Sequence, residues 1–167
     1  MPSIKALKLD RIDIHILAEL QRQGRMGNND LAETVGLSPS PCLHRVRRLE
    51  TAGYITGYSA HLNLVKLCDP QVVFTQVTLA NHRREDFLRF ESAMAAQPEL
   101  MEAHLVSGGF DYLLKFITRS ISEYQTLMDN LLARELGIVK YFSFIVLKTP
   151  IIKTEYPLSV VVEMPKD

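Results

Sequence analysis

Three arginines, Arg45, Arg47 and Arg48, fall within four positions beside His44 and shortly after a Ser38-Pro39-Ser40-Pro41 run. Guanidinium groups pair bidentately with guanine edges or phosphate oxygens, and serine hydroxyls bond either base edges or phosphates. On a helix that starts near Ser40, the N-terminal part is the portion that enters a DNA major groove. Ser38, Ser40, Pro41, His44, Arg45, Arg47 and Arg48 are therefore the candidate contacts to double-stranded DNA. Arginines alone would equally suit a solvated basic helix face. The glycine turn and Ser-Pro entry ahead of them favour DNA.

A second candidate is the run Ser107-Gly108-Gly109-Phe110-Asp111. Adjacent glycines let a ligand approach the backbone and meet N–H groups, and an aspartate accepts from an ammonium. A free amino acid carries both complementary charges, so the run suits an amino-acid effector. A tight turn in which Asp111 serves its own backbone is the plainer alternative. Glu102 and His104 alternate onto one face of the preceding strand; they would line the same site or be polar residues of the sheet surface.

Other chemistries find no support. There is no phosphate-binding or dinucleotide glycine pattern and no nucleophile elbow. Cys42 and His44 point to different sides of a helix, and His15, His61 and His82 show no ligand spacing, so no metal or other cofactor is expected. No catalytic set emerges, and the chain is read as a non-enzyme.

Composition sets the frame. Of 167 residues, 47% are hydrophobic and 23% charged, the profile of an ordinary globular protein. No apolar run is long enough for a membrane span, no secretory leader opens the chain, and two cysteines do not suggest a disulfide framework. A cytoplasmic protein without a membrane partner is expected. Net charge is zero. Residues 1–62 hold eight basic against six acidic side chains, and residues 63–167 hold eleven against thirteen, so clustering, not total charge, carries the DNA argument.

The elements that must position these residues follow from periodicity and capping. Asp10 caps a first helix, with Asp13 as a negative charge in its first turn. Ile12, Ile16, Leu17 and Leu20 form its inward stripe, and Ile14 lies off it, exposed or facing a partner. Gly24 is its expected stop. Asn28 or Asn29 caps a short helix over 30–35, Gly36 turns, and a third helix runs from about Ser40 to Ala52 with Leu43, Val46 and Leu49 inward. This is a helix-turn-helix, followed after Gly53 by a β-prone segment readable as a short wing, a linker strand or a plain connector. Strands over 72–79, 101–106, 112–117 and 139–147 interleave with helices over 84–96 and from a Ser120/Glu123 capping box toward Gly137. The expected fold is α+β: a winged-type helix-turn-helix, then a βαββαβ ferredoxin-like (ACT-like) domain. The expected divisions are 1–62, a linker over 63–69, the βαββαβ domain over 70–150, and a tail over 151–167 that adds a strand or reaches a partner. The uncovered sheet face calls for a homodimer.

Leu9-Asp10 through Leu20, Asn29-Asp30-Leu31-Ala32, the run Val35-Gly36-Leu37-Ser38-Pro39-Ser40-Pro41-Cys42, Arg45-Val46, Leu49-Glu50, Gly53-Tyr54-Ile55 and Gly57-Tyr58 closely resemble the leucine-responsive/asparagine regulator (Lrp/AsnC, feast/famine) family. Gly27 and Asp30 depart from it, standing where the family has Ser and Glu. The resemblance implies a transcription regulator that pairs through its C-terminal domain, with dimers assembling into octamers. It also implies an effector held between dimers near a Gly-x-x-Asp-Tyr loop, matched here by Gly108, Asp111 and Tyr112. Two other functions stay open: a nucleoid-type DNA wrapper with little sequence preference, and a decarboxylase-like enzyme on the same fold.

Overall fold

Asp10 and Asp13 cap the first helix reciprocally. Asp13 N–H donates to Asp10 Oδ1 at 2.8 Å, and Asp10 N–H donates to Asp13 Oδ2 at 3.1 Å. Two otherwise orphaned donors are satisfied, and α1 runs Arg11–Arg22. It ends at Gln23, and Gly24 does not take the left-handed conformation expected of a stop. The computed structural model describes residues 7–163. The chain divides into two units, Met1–His61 with Ile151–Asp167, and Leu62–Pro150.

In the first unit, α2 spans Asn28–Thr34 and α3 spans Pro39–Thr51. Gly27, not an asparagine, is the N-cap of α2 and offers no side-chain hydrogen bond. Asn28 instead donates through Nδ2 to the Pro39 carbonyl at 2.8 Å, tying the start of α2 to that of α3. Both helices end in the same way. Leu37 N–H reaches Ala32 O at 2.8 Å around Gly36, and Tyr54 N–H reaches Leu49 O at 2.9 Å around Gly53. Each glycine takes the positive φ, +71° and +77°, that such an end requires.

Ile16, Leu31, Ala32, Val35, Cys42 and Leu49 form the core of this unit. The inward face of α3 is therefore Cys42, Val46 and Leu49. Leu43, expected inside, is 38% exposed, while Cys42 is fully buried. A buried set at i, i+4, i+7 sits on one side of a 3.6-residue helix as well as i, i+3, i+6 does, so the face is rotated by one position. Ile14, expected outside or against a partner, is buried. No strand forms after Gly53 through residue 63, so the plain connector is what is seen. The tail also lacks the expected strand; its described part holds a short helix, α6, Leu158–Val161.

The second unit follows the expected order. β1 (Gln71–Leu79), α4 (Arg84–Ala95), β2 (Leu100–Leu105), β3 (Tyr112–Thr118), α5 (Ile121–Ala133) and β4 (Ile138–Ile145) build a sheet ordered β2-β3-β1-β4. All neighbours are antiparallel, the arrangement of a ferredoxin-like sandwich. Alternate residues of β1 and β3, among them Val73, Val77, Leu114 and Phe116, pack under Phe90, Met94, Leu127 and Leu131 of the helices. Their neighbours in the register, Phe74 opposite Phe144 and Gln76 opposite Phe142, lie on the other face, where Phe142 and Phe144 are each 50% exposed.

Gly36 has open space where a Cβ would sit. Gly36→Ala therefore meets only the left-handed backbone penalty and should cost about 1–2 kcal/mol in urea denaturation. Gly109, with similar space and no positive φ, should accept alanine nearly unchanged.

Candidate nucleic-acid interface and effector loop

With Cys42, Val46 and Leu49 inward, the helical period puts Ser40, His44, Arg47 and Thr51 on the opposite side of α3. All four are exposed. His44, Arg47, Arg48, Thr51 and Ala52 line a shallow surface concavity with Leu7. Ser38 is the N-cap and, with Pro41, lies exposed at the first turn. Its side chain makes no capping hydrogen bond, and prolines at 39 and 41 carry no N–H, so the Ser38 and Ser40 hydroxyls and the Ser40 N–H are polar groups this helix start offers a phosphate.

The three arginines part company. Arg45 Nη1 lies 2.6 Å from Asp10 Oδ2 and 2.8 Å from Asp13 Oδ1, and Arg48 Nη2 lies 2.6 Å from Asp13 Oδ2. The Asp13 side chain is wholly buried. Both arginines are half-buried, and both face back toward α1. Arg48, expected to project outward, instead turns back to Asp13, and Arg45, also a candidate DNA contact, is paired with Asp10 and Asp13; in this structure both guanidiniums are engaged by carboxylates. The Arg47 guanidinium has no hydrogen-bond or ion-pair partner among the described residues, and the Arg47 carbonyl accepts from the Thr51 hydroxyl at 2.8 Å. Burial alone would raise the Asp10 carboxyl, but the Asp13 and Ile12 N–H groups and the Arg45 guanidinium outweigh it and hold it below the usual carboxylate range.

Asp10 and Asp13 were read from sequence only as a cap and a dipole charge. Their spacing of three residues matches that of Arg45 and Arg48, and that match is the signal that could have found the ion pairs.

In the second unit the loop between β2 and β3 leaves Ser107, Gly108 and Gly109 exposed, with Phe110 and Asp111 half-buried. Gly108 has φ +146°. Asp111 accepts the Leu79 N–H on Oδ2 at 2.7 Å, its own N–H donates to Val77 O at 2.9 Å, and Oδ1 lies 2.9 Å from His82 Nε2. The carboxylate thus bonds the backbone at the end of β1, and not that of its own turn. It also faces a histidine that sequence spacing had set aside. The following Tyr112 is buried and donates to Glu91 Oε1 at 2.8 Å; burial, then that carboxylate, push its hydroxyl pKa up.

Glu102 and His104 do share a face, the one not covered by helices, since His104 is registered with Leu113 and Glu102 with Lys115. Glu102 bridges Lys115 Nζ at 2.6 Å and His104 Nε2 at 3.2 Å. Those two hydrogen bonds, Lys115 first, hold its carboxyl below the usual range. This triad is a polar patch on the sheet surface, and no contact joins it to the loop.

The comparisons with known proteins agree with this layout. Residues 9–56 match the family model of a winged helix-turn-helix DNA-binding domain, and residues 72–156 match that of the Lrp/AsnC ligand binding domain. The chain is 48% identical over 143 residues to the transcriptional regulatory protein DoeX of Halomonas elongata, covering 86% of this chain and 90% of the relative. It is 46% identical over 151 residues to the leucine-responsive regulatory protein of Haemophilus influenzae, covering 84% and 91%. Among solved structures, an AsnC family transcriptional regulator from Agrobacterium tumefaciens superposes with TM-score 0.85 at 32% identity, covering 92% of this chain and 100% of the other. A transcriptional regulator of Neisseria meningitidis in complex with L-Met superposes with TM-score 0.83 at 32% identity, covering 90% and 97%.

Because its folded carboxyl is depressed, Asp10 contributes stability that is present above about pH 4 and lost as pH falls through the folded value. Urea denaturation of the full chain should show a steeper loss of stability below pH 4 than Asp10→Asn does. Asp13→Ala leaves the half-buried Arg48 without its carboxylate and Arg45 with Asp10 alone. It should cost about 3–5 kcal/mol at pH 7 by the same measurement.

Proposed function

The chain belongs to the Lrp/AsnC family of transcription regulators, and from that premise we propose how its residues divide the work of reading DNA and sensing a small molecule. The protein is a DNA-binding regulator. Its contact surface is the outward side of α3. Ser40, His44 and Arg47 face base edges, and Ser38 and Pro41 lie along the phosphates at the helix start. Arg45 and Arg48 act from behind, holding α3 on α1. The observation that carries this reading is that Arg47, of the three α3 arginines, points away from the core and has no carboxylate partner among the described residues.

The effector is an amino acid or a related small metabolite, met by the Ser107–Asp111 loop. Two things support this: the loop pairs exposed glycines with an aspartate, and the similar Neisseria meningitidis regulator was solved with L-Met. Glu102 and His104 are left to the sheet surface. The apolar sheet face bearing Phe142 and Phe144 supports a homodimer, and further assembly toward an octamer would space the DNA-binding units. Spacing must match half-sites on DNA, so an effector acting on assembly acts on operator choice.

Genomic fragments selected by the purified protein supply the operator. Arg47→Ala should weaken operator binding by about 1–3 kcal/mol while changing random DNA much less; an equal loss on both would make Arg47 a phosphate contact. Operator binding titrated with the protein amino acids should shift for at least one of them, and Asp111→Asn should lose that shift while keeping operator affinity. No shift with any amino acid would overturn the effector assignment.

A further inference from the structure

His82 stands in the short loop between β1 and α4. Its Nε2 lies 2.9 Å from Asp111 Oδ1, and its ring stacks on Phe87 with centroids 5.9 Å apart and planes 22° from parallel. Phe87 in turn meets Tyr112 edge-on at 6.0 Å, so the imidazole rests on the same wall that carries the effector loop's end. Asp111 Oδ2 is held by the Leu79 N–H, which fixes the carboxylate and leaves Oδ1 as its outward oxygen. Beside it, the N–H groups of Gly108 and Gly109 donate to no backbone acceptor among the described residues.

We infer that His82 is part of the effector site and competes with the ligand's ammonium for Asp111 Oδ1, so that the site takes up a primary amine carrying a nearby carboxylate in exchange for a proton. The inference rests on the loop being the effector site. One carboxylate oxygen in a fixed orientation serves two cations poorly, because like charges brought to the same acceptor repel. When an ammonium occupies Oδ1, an imidazolium at 82 is disfavoured and gives its proton to solvent. The ligand's carboxylate then meets the glycine N–H groups. Histidine is the side chain that ordinarily changes charge between about pH 5 and 8, which makes pH the variable that exposes the competition. By linkage, acid must weaken binding.

Charged groups on the neighbouring elements are in part engaged with one another. On α4, Arg89 pairs with Asp86 at 3.3 Å, and Glu91 accepts from Tyr112. Arg83, Arg84 and Glu85, which follow His82 in the chain, make no ion pair among the described residues. On the β2–β3 side, His104 is engaged with Glu102 and Lys115. Any contribution from His104 is common to the wild type and a His82 variant, and cancels in their comparison.

The test is calorimetric titration of the full-length protein with L-methionine and L-leucine at pH 5.5, 7 and 8, in two buffers of different ionisation heat. Wild type should bind about tenfold more weakly at pH 5.5 than at pH 8 and release protons on binding, read as heats that differ between the two buffers. His82→Gln keeps a hydrogen-bond donor but cannot ionise. It should fold with the wild-type melting temperature, bind within about twofold of wild type at pH 8, and lose both the pH slope and the proton release. A wild-type slope retained in His82→Gln, or a pH-independent wild type, overturns the inference while leaving the loop assignment standing. Binding of neither amino acid at any pH overturns the inference; binding unchanged in Asp111→Asn overturns the loop assignment and the inference with it.

Discussion

A single buried carboxylate holds the DNA-binding unit in shape. Asp13 is wholly removed from solvent, and it is bonded by the Arg45 and Arg48 guanidiniums and by the Asp10 backbone. A lone carboxylate in such a place would cost several kcal/mol, so its partners are obligatory. Those partners sit on α3, 32 and 35 residues away. The rotation of α3, the proposed reading helix, is therefore fixed by the cap of α1. Once Arg45 and Arg48 are drawn back to α1 and Cys42 is seated in the core, the period of the helix leaves Ser40, His44 and Arg47 outermost.

The second unit is organised by a comparable economy of polar groups. Asp111 closes the end of β1 through the Leu79 N–H and also faces His82. The loop that would meet an effector is thus anchored in the sheet, and a change in that carboxylate's partners bears directly on the strand end. Across the sheet, one face is filled by α4 and α5, and the other presents Phe142 and Phe144 to its surroundings. On the proposed reading, sensing, assembly and DNA reading would occupy different surfaces of one chain.

Much of this was legible in the sequence, for local reasons. Gly36 and Gly53 mark turns that need a positive φ, and both show it. Ser120 and Glu123 carry the spacing of a capping box, and Glu123 N–H does donate to Ser120 Oγ at 3.2 Å. Strand alternation gave the βαββαβ order in full. What escaped was long-range or nearly degenerate. Cys42 and Leu43 are adjacent and both apolar, so periodicity alone could not choose between two rotations of α3. Ile14 looked peripheral on its own helix but is 5% exposed. The ion pairs join helices far apart in the chain, and their one trace, the equal spacing of Asp10/Asp13 and Arg45/Arg48, lies in two separate segments, so arginines already paired with carboxylates looked available to DNA. His82 was dismissed for want of ligand spacing, yet it meets its carboxylate only because β1 and β3 are neighbours.

The most direct measurement is a crystal or cryo-electron microscopy structure of the full-length protein on its operator, read for the three arginines of α3. The account predicts Arg47 on base edges in the major groove, with Arg45 and Arg48 still bonded to Asp10 and Asp13. Arg45 or Arg48 released from Asp13 and bonded to bases, with Arg47 left in solvent, would contradict it.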